Sequence, residues 1–197
     1  MCLVCLLVAQ IICLACAERA LKNFYLQYFK TLGVAEAELE QDVAASICRI
    51  HYSVSGDGPD TVAFGMEQSG KGFLDNTLEP ETLPTWLREQ DIEEYAAEFS
   101  KTRFRGGLNG YRNLSRSWEW MTPWRGQVIH QASLFIAGEC DDVYTFPHTQ
   151  ANIDNFSVTL PDIRGCHILS VAGHRIQRER AATVNKLLIE FLDSLQN

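Results

Sequence analysis

Two stretches, Ala132-Ser-Leu-Phe-Ile-Ala-Gly-Glu-Cys-Asp-Asp142 and His167-Ile-Leu-Ser-Val-Ala-Gly-His174, decide how this chain folds. Each begins as a short apolar run rich in β-branched or aromatic residues and closes on a glycine, the pattern of a buried strand. A helical pattern covers about 147–157. Another covers about 179–195, with Val184, Leu187, Leu188, Phe191 and Leu192 on one face. Strand, helix, strand, helix is the order of a parallel sheet with crossover helices, so strands are predicted over 132–138 and 166–172. In such a sheet ligands and reactive groups gather beyond the carboxyl ends of the strands. Asp141 follows the first strand and His174 the second. Acid before base is the order of the last two members of a nucleophile–acid–base triad. Taken singly, Asp141 or its neighbour Asp142 could equally cap a turn, and His174 could be a satisfied core histidine.

The first members of such a triad have no counterpart here. No Gly-x-Ser-x-Gly or Gly-x-Asp-x-Gly elbow precedes Asp141, and none of the five histidines is followed by glycine. The pattern is that of the back half of a hydrolase.

Upstream the chain changes character. Residues 18–55 read as helix, with Leu21, Phe24, Tyr25, Tyr28 and Phe29 at helical spacing; a second stretch, 36–52, puts Leu39, Val43, Ile47 and Ile50 on one stripe. Residues 59–84 read as an exposed loop. Asp91–Phe99 reads as a short amphipathic helix, Arg105-Gly-Gly107 as a break, and 109–120 as an aromatic-rich helix. A helical block thus meets a sheet-forming block near 121–125.

Size and charge narrow the partners. The 197 residues, 46% hydrophobic, suffice for a real core in one domain or one and a half. A net charge of −8 argues against nucleic acid and anionic membranes. The cysteine count is odd, seven, with Cys2, Cys5, Cys13 and Cys16 crowded at the start, which favours a reducing, cytoplasmic setting over a disulfide framework. Met1–Ala17 is nearly all apolar and ends Ala15-Cys-Ala17, so a secretion signal or tether is the alternative. It lacks an early lysine or arginine, and it falls short of the ~20 residues of a spanning helix. The Cys-x-x-Cys pairs within it have no accompanying metal ligands. His51, His130, His148 and His167 share no metal spacing and read as surface or structural residues.

The chain resembles the soluble epoxide hydrolases of the α/β-hydrolase fold over roughly residues 22–195. The resemblance rests on Gly33-Val-Ala-Glu-Ala-Glu-Leu-Glu40, Phe104-Arg-Gly-Gly-Leu-Asn-Gly-Tyr-Arg-Asn113, the Gly-Glu-x-Asp segment 138–141, and Gly173-His174 with Gln177-x-Glu-Arg180. It implies a truncated α/β-hydrolase fold: an apolar segment of unclear origin at 1–21, a helical cap at 22–122, and the C-terminal part of the core at 123–197. It further implies that Tyr25 and Tyr111 hydrogen-bond the epoxide oxygen, with Tyr28 a near neighbour of the first. Asp141 would be the acid and His174 the base that activates water to hydrolyse an alkyl-enzyme ester. The nucleophilic aspartate and the oxyanion loop match nothing in the sequence.

The residue types suit that chemistry. Epoxide opening expels a strongly basic alkoxide, and a phenol with pKa near ~10 can hydrogen-bond or protonate it while staying neutral at pH 7. A histidine near pKa ~6.5 suits water activation, and a carboxylate fixes its tautomer. The expected substrate is a small apolar epoxide, and no cofactor is required. The chain departs from the family at Lys30-Thr-Leu32, where Gln-Glu-Pro is common, and at Gly110 and Arg175, where tryptophan is usual. A buried, unpaired Arg175 would be costly. An apolar sheet edge at 132–138 suggests a second, non-catalytic reading, with pairing to a homologue or to another copy.

Overall fold

The computed structural model describes residues 25–58, 71–124, 126–145 and 149–196. The apolar segment 1–21 with its cysteine pairs, residues 22–24, residues 59–70 of the expected loop and His148 lie outside the described residues. Among the described residues no helix is long and apolar enough to cross a membrane.

Among the described residues the expected helix 18–55 is three helices: α1 (Tyr25–Lys30), α2 (Val34–Leu39) and α3 (Val43–Ser53). The first break is Gly33, whose φ of +84° is open to glycine at no steric cost. The second is Asp42, whose carboxylate accepts the Ala45 N–H at 2.9 Å and starts α3 as an N-cap. The predicted stripe from Leu39 to Ile50 therefore spans two helices. Next come α4 (Glu89–Thr102), α5 (Arg105–Arg112) and α6 (Leu114–Met121). Arg105-Gly-Gly107 is not a break but the first turn of α5. The chain turns two residues earlier, at Arg103, where φ is +62°.

These helices close over one apolar cluster: Phe29, Ala35, Leu39, Ile47, Phe73, Phe104 and Leu108, with Tyr25, Tyr28, Tyr95, Phe99 and Tyr111 packed against it. Burying a side chain of this size contributes about 1.5–3 kcal/mol.

The second block is a two-stranded parallel sheet, β1 (Ser133–Gly138) beside β2 (Ile163–Leu169), with Ile136 opposite His167 and Gly138 opposite Leu169. Three short helices, α7 (Asp142–Thr145), α8 (Thr149–Asp154) and α9 (Phe156–Thr159), replace the expected single helix between the strands. β2 begins three residues earlier than its apolar run suggested and ends at Leu169. Ser170 and Val171 form a turn, with Val171 at φ +50°, a costly conformation for a β-branched residue. The last helix is also divided, into α10 (Ile176–Glu179) and α11 (Ala181–Ser194). Of its predicted apolar face only Val184 is fully buried, while Leu188 and Leu192 remain exposed. A parallel sheet is normally covered on both faces, and two strands leave much of that surface open.

Candidate active site

Because β1 and β2 are parallel, their carboxyl ends share one edge, and the two loops that leave it meet. Cys140 N–H donates to the Ala172 carbonyl at 2.9 Å, and Glu139 N–H to Leu169 at 2.9 Å. The approach is close enough that a Cβ on Gly138 would overlap the carbonyls of Ala172 and Gly173. Gly173 is equally hemmed in, by the backbone of Val54, Ser55 and Gly56. Both glycines of the quoted motifs are there because backbone passes backbone.

That crossing brings Asp141 and His174 together. The Asp141 carboxylate lies 3.1 and 3.0 Å from His174 Nδ1 through its two oxygens. A neutral His174 paired in this way donates from Nδ1, which leaves Nε2 as the basic nitrogen. Asp141 also accepts the Val143 N–H at 2.9 Å, so the turn-capping role and the histidine-orienting role belong to the same side chain. Its exposure is 16% against 39% for His174, placing the acid beneath and the base toward the opening. Asp142, the rival acid, starts α7. Burial, reinforced by the charge of Asp141, pushes its carboxyl up to about 6, and His174 pulls the other way.

The loop carrying His174 is tied down by Glu179 of the Gln177-x-Glu-Arg180 motif, a residue to which the local sequence assigns no role. Its buried carboxylate accepts N–H groups from Gly56 (2.8 Å), Gly173 (2.8 Å) and Arg175 (3.0 Å). The His174 N–H itself donates to Val54 O at 2.8 Å. The helical block thus positions the base directly, through the end of α3.

Tyr25 and Tyr111 face each other edge to face, with ring centroids 5.9 Å apart and planes at 80°. Phe29 packs on both, at 5.4 and 5.2 Å. Tyr28 is taken elsewhere: its hydroxyl donates to Glu38 at 2.8 Å. Burial pushes the Tyr111 phenol above its ordinary value, opposed by the charge of Arg175, so it is a neutral hydrogen-bond donor at pH 7. Arg175 in turn sits within the field of Tyr111, Tyr95 and Asp141. Tyr111 and Asp141 thus both act on one guanidinium, as does Glu179.

Two further residues hold the phenols, and both lie inside the quoted motifs. Arg112, next to Tyr111, donates to both carboxylate oxygens of Glu36 at 2.8 Å, and through Nε to Phe29 O at 2.8 Å. The Arg112 hydrogen bonds, offset in part by burial, hold the Glu36 carboxyl down at about 2. No spacing rule connects positions so far apart in sequence, so neither motif carries a local sign that the two meet. His51 is buried rather than at the surface, against Tyr95 at 5.1 Å.

No protein-family model matches the chain. It is 37% identical over 174 residues to epoxide hydrolase A of Mycobacterium tuberculosis, covering 88% of this chain and 53% of that protein. To epoxide hydrolase 1 of Siraitia grosvenorii it is 33% identical over 172 residues, covering 86% and 52%. Among solved structures it matches an epoxide hydrolase from an endophytic Streptomyces with a TM-score of 0.86 at 35% identity, covering 94% of this chain and 56% of that one. Epoxide hydrolase A from Mycobacterium thermoresistibile matches with a TM-score of 0.79 at 37% identity, covering 91% and 55%. The chain spans about half the length of the relatives it matches.

Proposed function

The chain belongs to the epoxide hydrolase family of the α/β-hydrolase fold, and on that premise we propose that it supplies the ring-opening and water-activating half of an epoxide-hydrolysing site. In this reading residues 22–122 are the cap and residues 123–197 the C-terminal part of the core. The observation that carries it is the contact between the Asp141 carboxylate and His174 Nδ1, in the same molecule as the facing phenols of Tyr25 and Tyr111.

The roles follow from the chemistry. Tyr25 and Tyr111 hydrogen-bond the epoxide oxygen and stabilise the alkoxide that forms as a carboxylate attacks ring carbon. The resulting alkyl-enzyme ester is hydrolysed by a water that His174 deprotonates through Nε2, and Asp141 stabilises the imidazolium. The product is a vicinal diol. The 197 residues hold no elbow aspartate for the first step. Losing the nucleophile of a covalent mechanism costs on the order of 10⁴–10⁶ in rate, so this chain alone is proposed to be inactive or nearly so and to depend on nucleophile-bearing sequence. The substrate is proposed to be a small epoxide and the setting cytoplasmic.

Styrene oxide tests the proposal. The 197-residue chain is expected to give no diol above background. The same chain joined to an upstream core carrying His-Gly-x-Pro and an elbow aspartate is expected to give diol, with His174→Ala trapping the ester as a mass increase on the protein. Diol formation that survives Tyr25→Phe with Tyr111→Phe, or a His174→Ala variant that turns over normally, would overturn it.

A second reading rests on a different observation. Ile168, Leu188, Ile189 and Leu192 are exposed, the last two at 58% and 56%. An apolar surface of this kind marks a binding or self-association face. Size-exclusion chromatography discriminates: a clean 22.2 kDa monomer counts against pairing.

A further inference from the structure

Arg178, in α10, crosses from the sheet block to the helical block. One terminal nitrogen lies 3.0 Å from the Asp91 carboxylate at the start of α4, and the other donates to the Tyr95 hydroxyl, one turn further on, at 3.1 Å. The guanidinium also rests over the Tyr95 ring, 5.7 Å from its centre. The side chains are 9% exposed at Asp91 and 27% at Arg178, unlike the open surface pairs that contribute little. Both acceptors are themselves held. Arg88 donates to Asp91 through its backbone N–H, Nε and a terminal nitrogen at 3.0, 3.0 and 2.9 Å. The Tyr95 ring packs against His51 of α3, with centroids 5.1 Å apart.

The neighbours of Arg178 in the chain give this contact its consequence. Glu179 binds the N–H groups of Gly173 and Arg175, on either side of His174, at 2.8 and 3.0 Å. At the other end, α4 runs through Arg103 into α5, which carries Tyr111. We infer that Arg178 is a positioning residue for the base: seated on Asp91 and Tyr95, it ties the orientation of His174 to the seating of α4, so that the base and the phenol-bearing helices keep one spacing. The backbone groups of Val54 and Gly56 bind the same loop, but they tie it only to the end of α3. Arg178 adds the helix that leads to Tyr111. A guanidinium suits the task because its rigid fork serves a carboxylate and a phenol hydroxyl at once, which the point charge of a lysine does not. The inference rests on the function proposed above for the meaning of that spacing. Its test reads the orientation of His174 without turnover, so the two fail separately.

Amide hydrogen exchange and imidazole ¹⁵N spectra of the full chain test it. In Arg178→Gln the amides of Gly173 and Arg175 are expected to exchange about 10-fold faster, while those of Ile47 and Cys48 within α3 keep their parent rates, the pattern of a local opening. The ring nitrogens of His174 should shift toward a mixture of tautomers. Arg178→Lys keeps a charge on Asp91 but loses the fork, and should recover part of the protection. Tyr95→Phe removes a single hydroxyl from the same contact and should move the same signals in the same direction by a smaller factor, which decides the matter if Arg178→Gln fails to fold. Exchange that quickens equally throughout the chain would make Arg178 a merely structural residue and overturn the inference. So would Gly173, Arg175 and His174 signals that stay unchanged in the variants that fold.

Discussion

Arg112 grips Glu36 with both terminal nitrogens, 2.8 Å to each carboxylate oxygen, and so joins the two longest motifs of the sequence across 76 positions. The exposures are 10% and 8%, so this ion pair is nearly dry. Through Phe29 and the α1–α2 turn it fixes the distance between Tyr25 and Tyr111.

Breaking that pair is expected to be expensive. Arg112→Met leaves the buried Glu36 with only the exposed Arg105, 3.4 Å away, and the Gly33 N–H to compensate it, a change worth up to about 3–5 kcal/mol. Urea denaturation at pH 7 measures it; a loss under ~1 kcal/mol would mean that the pair is solvated. The pH dependence has a definite sign. With a folded value of about 2 against an ordinary 4.5, Glu36 adds stability that is complete above about pH 4.5 and is lost as pH falls toward 2. Arg112→Met should lack that acid limb.

His51 sets a second pH window. Burial, with help from the charges of Arg175 and Arg178, pulls its ring down to about 4 from 6.5. The unfolded chain therefore takes up the proton first, and stability falls as pH drops from 6.5 through about 4. His51→Leu is expected to remove this slope. Asp142, raised to about 6, acts in the opposite direction, losing stability as pH rises through that value, so the difference between parent and variant melts is the quantity to follow. Identical slopes for parent and variant would contradict the burial of His51.

Gly138→Ala should damage the site without touching either of its titratable groups. The added methyl meets backbone carbonyls of Ala172 and Gly173, which cannot rotate away as a side chain would. Overpacking of this kind costs about 1–3 kcal/mol. The loops must part, and the Asp141–His174 contact should lengthen. Thermal melts give the cost, and the ring-nitrogen shifts of His174 give the contact. A variant as stable as the parent would mean that the two loops do not approach as closely as described.

Asp141→Asn tests the orientation of the base. The parent chain is expected to hold a neutral His174 as the Nδ1–H tautomer because the carboxylate accepts that proton. An amide can present either its oxygen or its NH₂ to the ring, so the variant should show a mixture of tautomers. Imidazole ¹⁵N spectra distinguish them. An unchanged pattern would transfer the orienting role to another group, with Asp142 the nearest.

Much of the architecture could be read directly from local sequence. The apolar run at 132–138 marked β1 to within a residue, and the run at 167–172 marked the existence of β2 though not its limits. Strand ends depend on where the partner strand stops offering hydrogen bonds, and β1 stops at Gly138 opposite Leu169. The helix boundaries at Gly33 and Asp42 carry turn and cap residues of the expected types, yet apolar residues at helical spacing lie on both sides of each and mask the breaks. Arg105-Gly-Gly107 failed in the opposite sense. Glycine is a poor helix former, but Leu108 buried in the core and Arg112 anchored on Glu36 hold the segment helical all the same.

Sequence alone was enough for the order of the elements, for an acid and a histidine at adjacent strand ends, and for the family, because these depend on periodicity and on residues adjacent in the chain. Tertiary structure decided which side chains complete one another: Glu36 with Arg112, Glu179 with three backbone N–H groups, and Tyr25 rather than Tyr28 opposite Tyr111. Such pairings depend on the path the chain takes between distant positions. Whether a buried charge is satisfied is therefore a property of the folded molecule and not of any stretch within it.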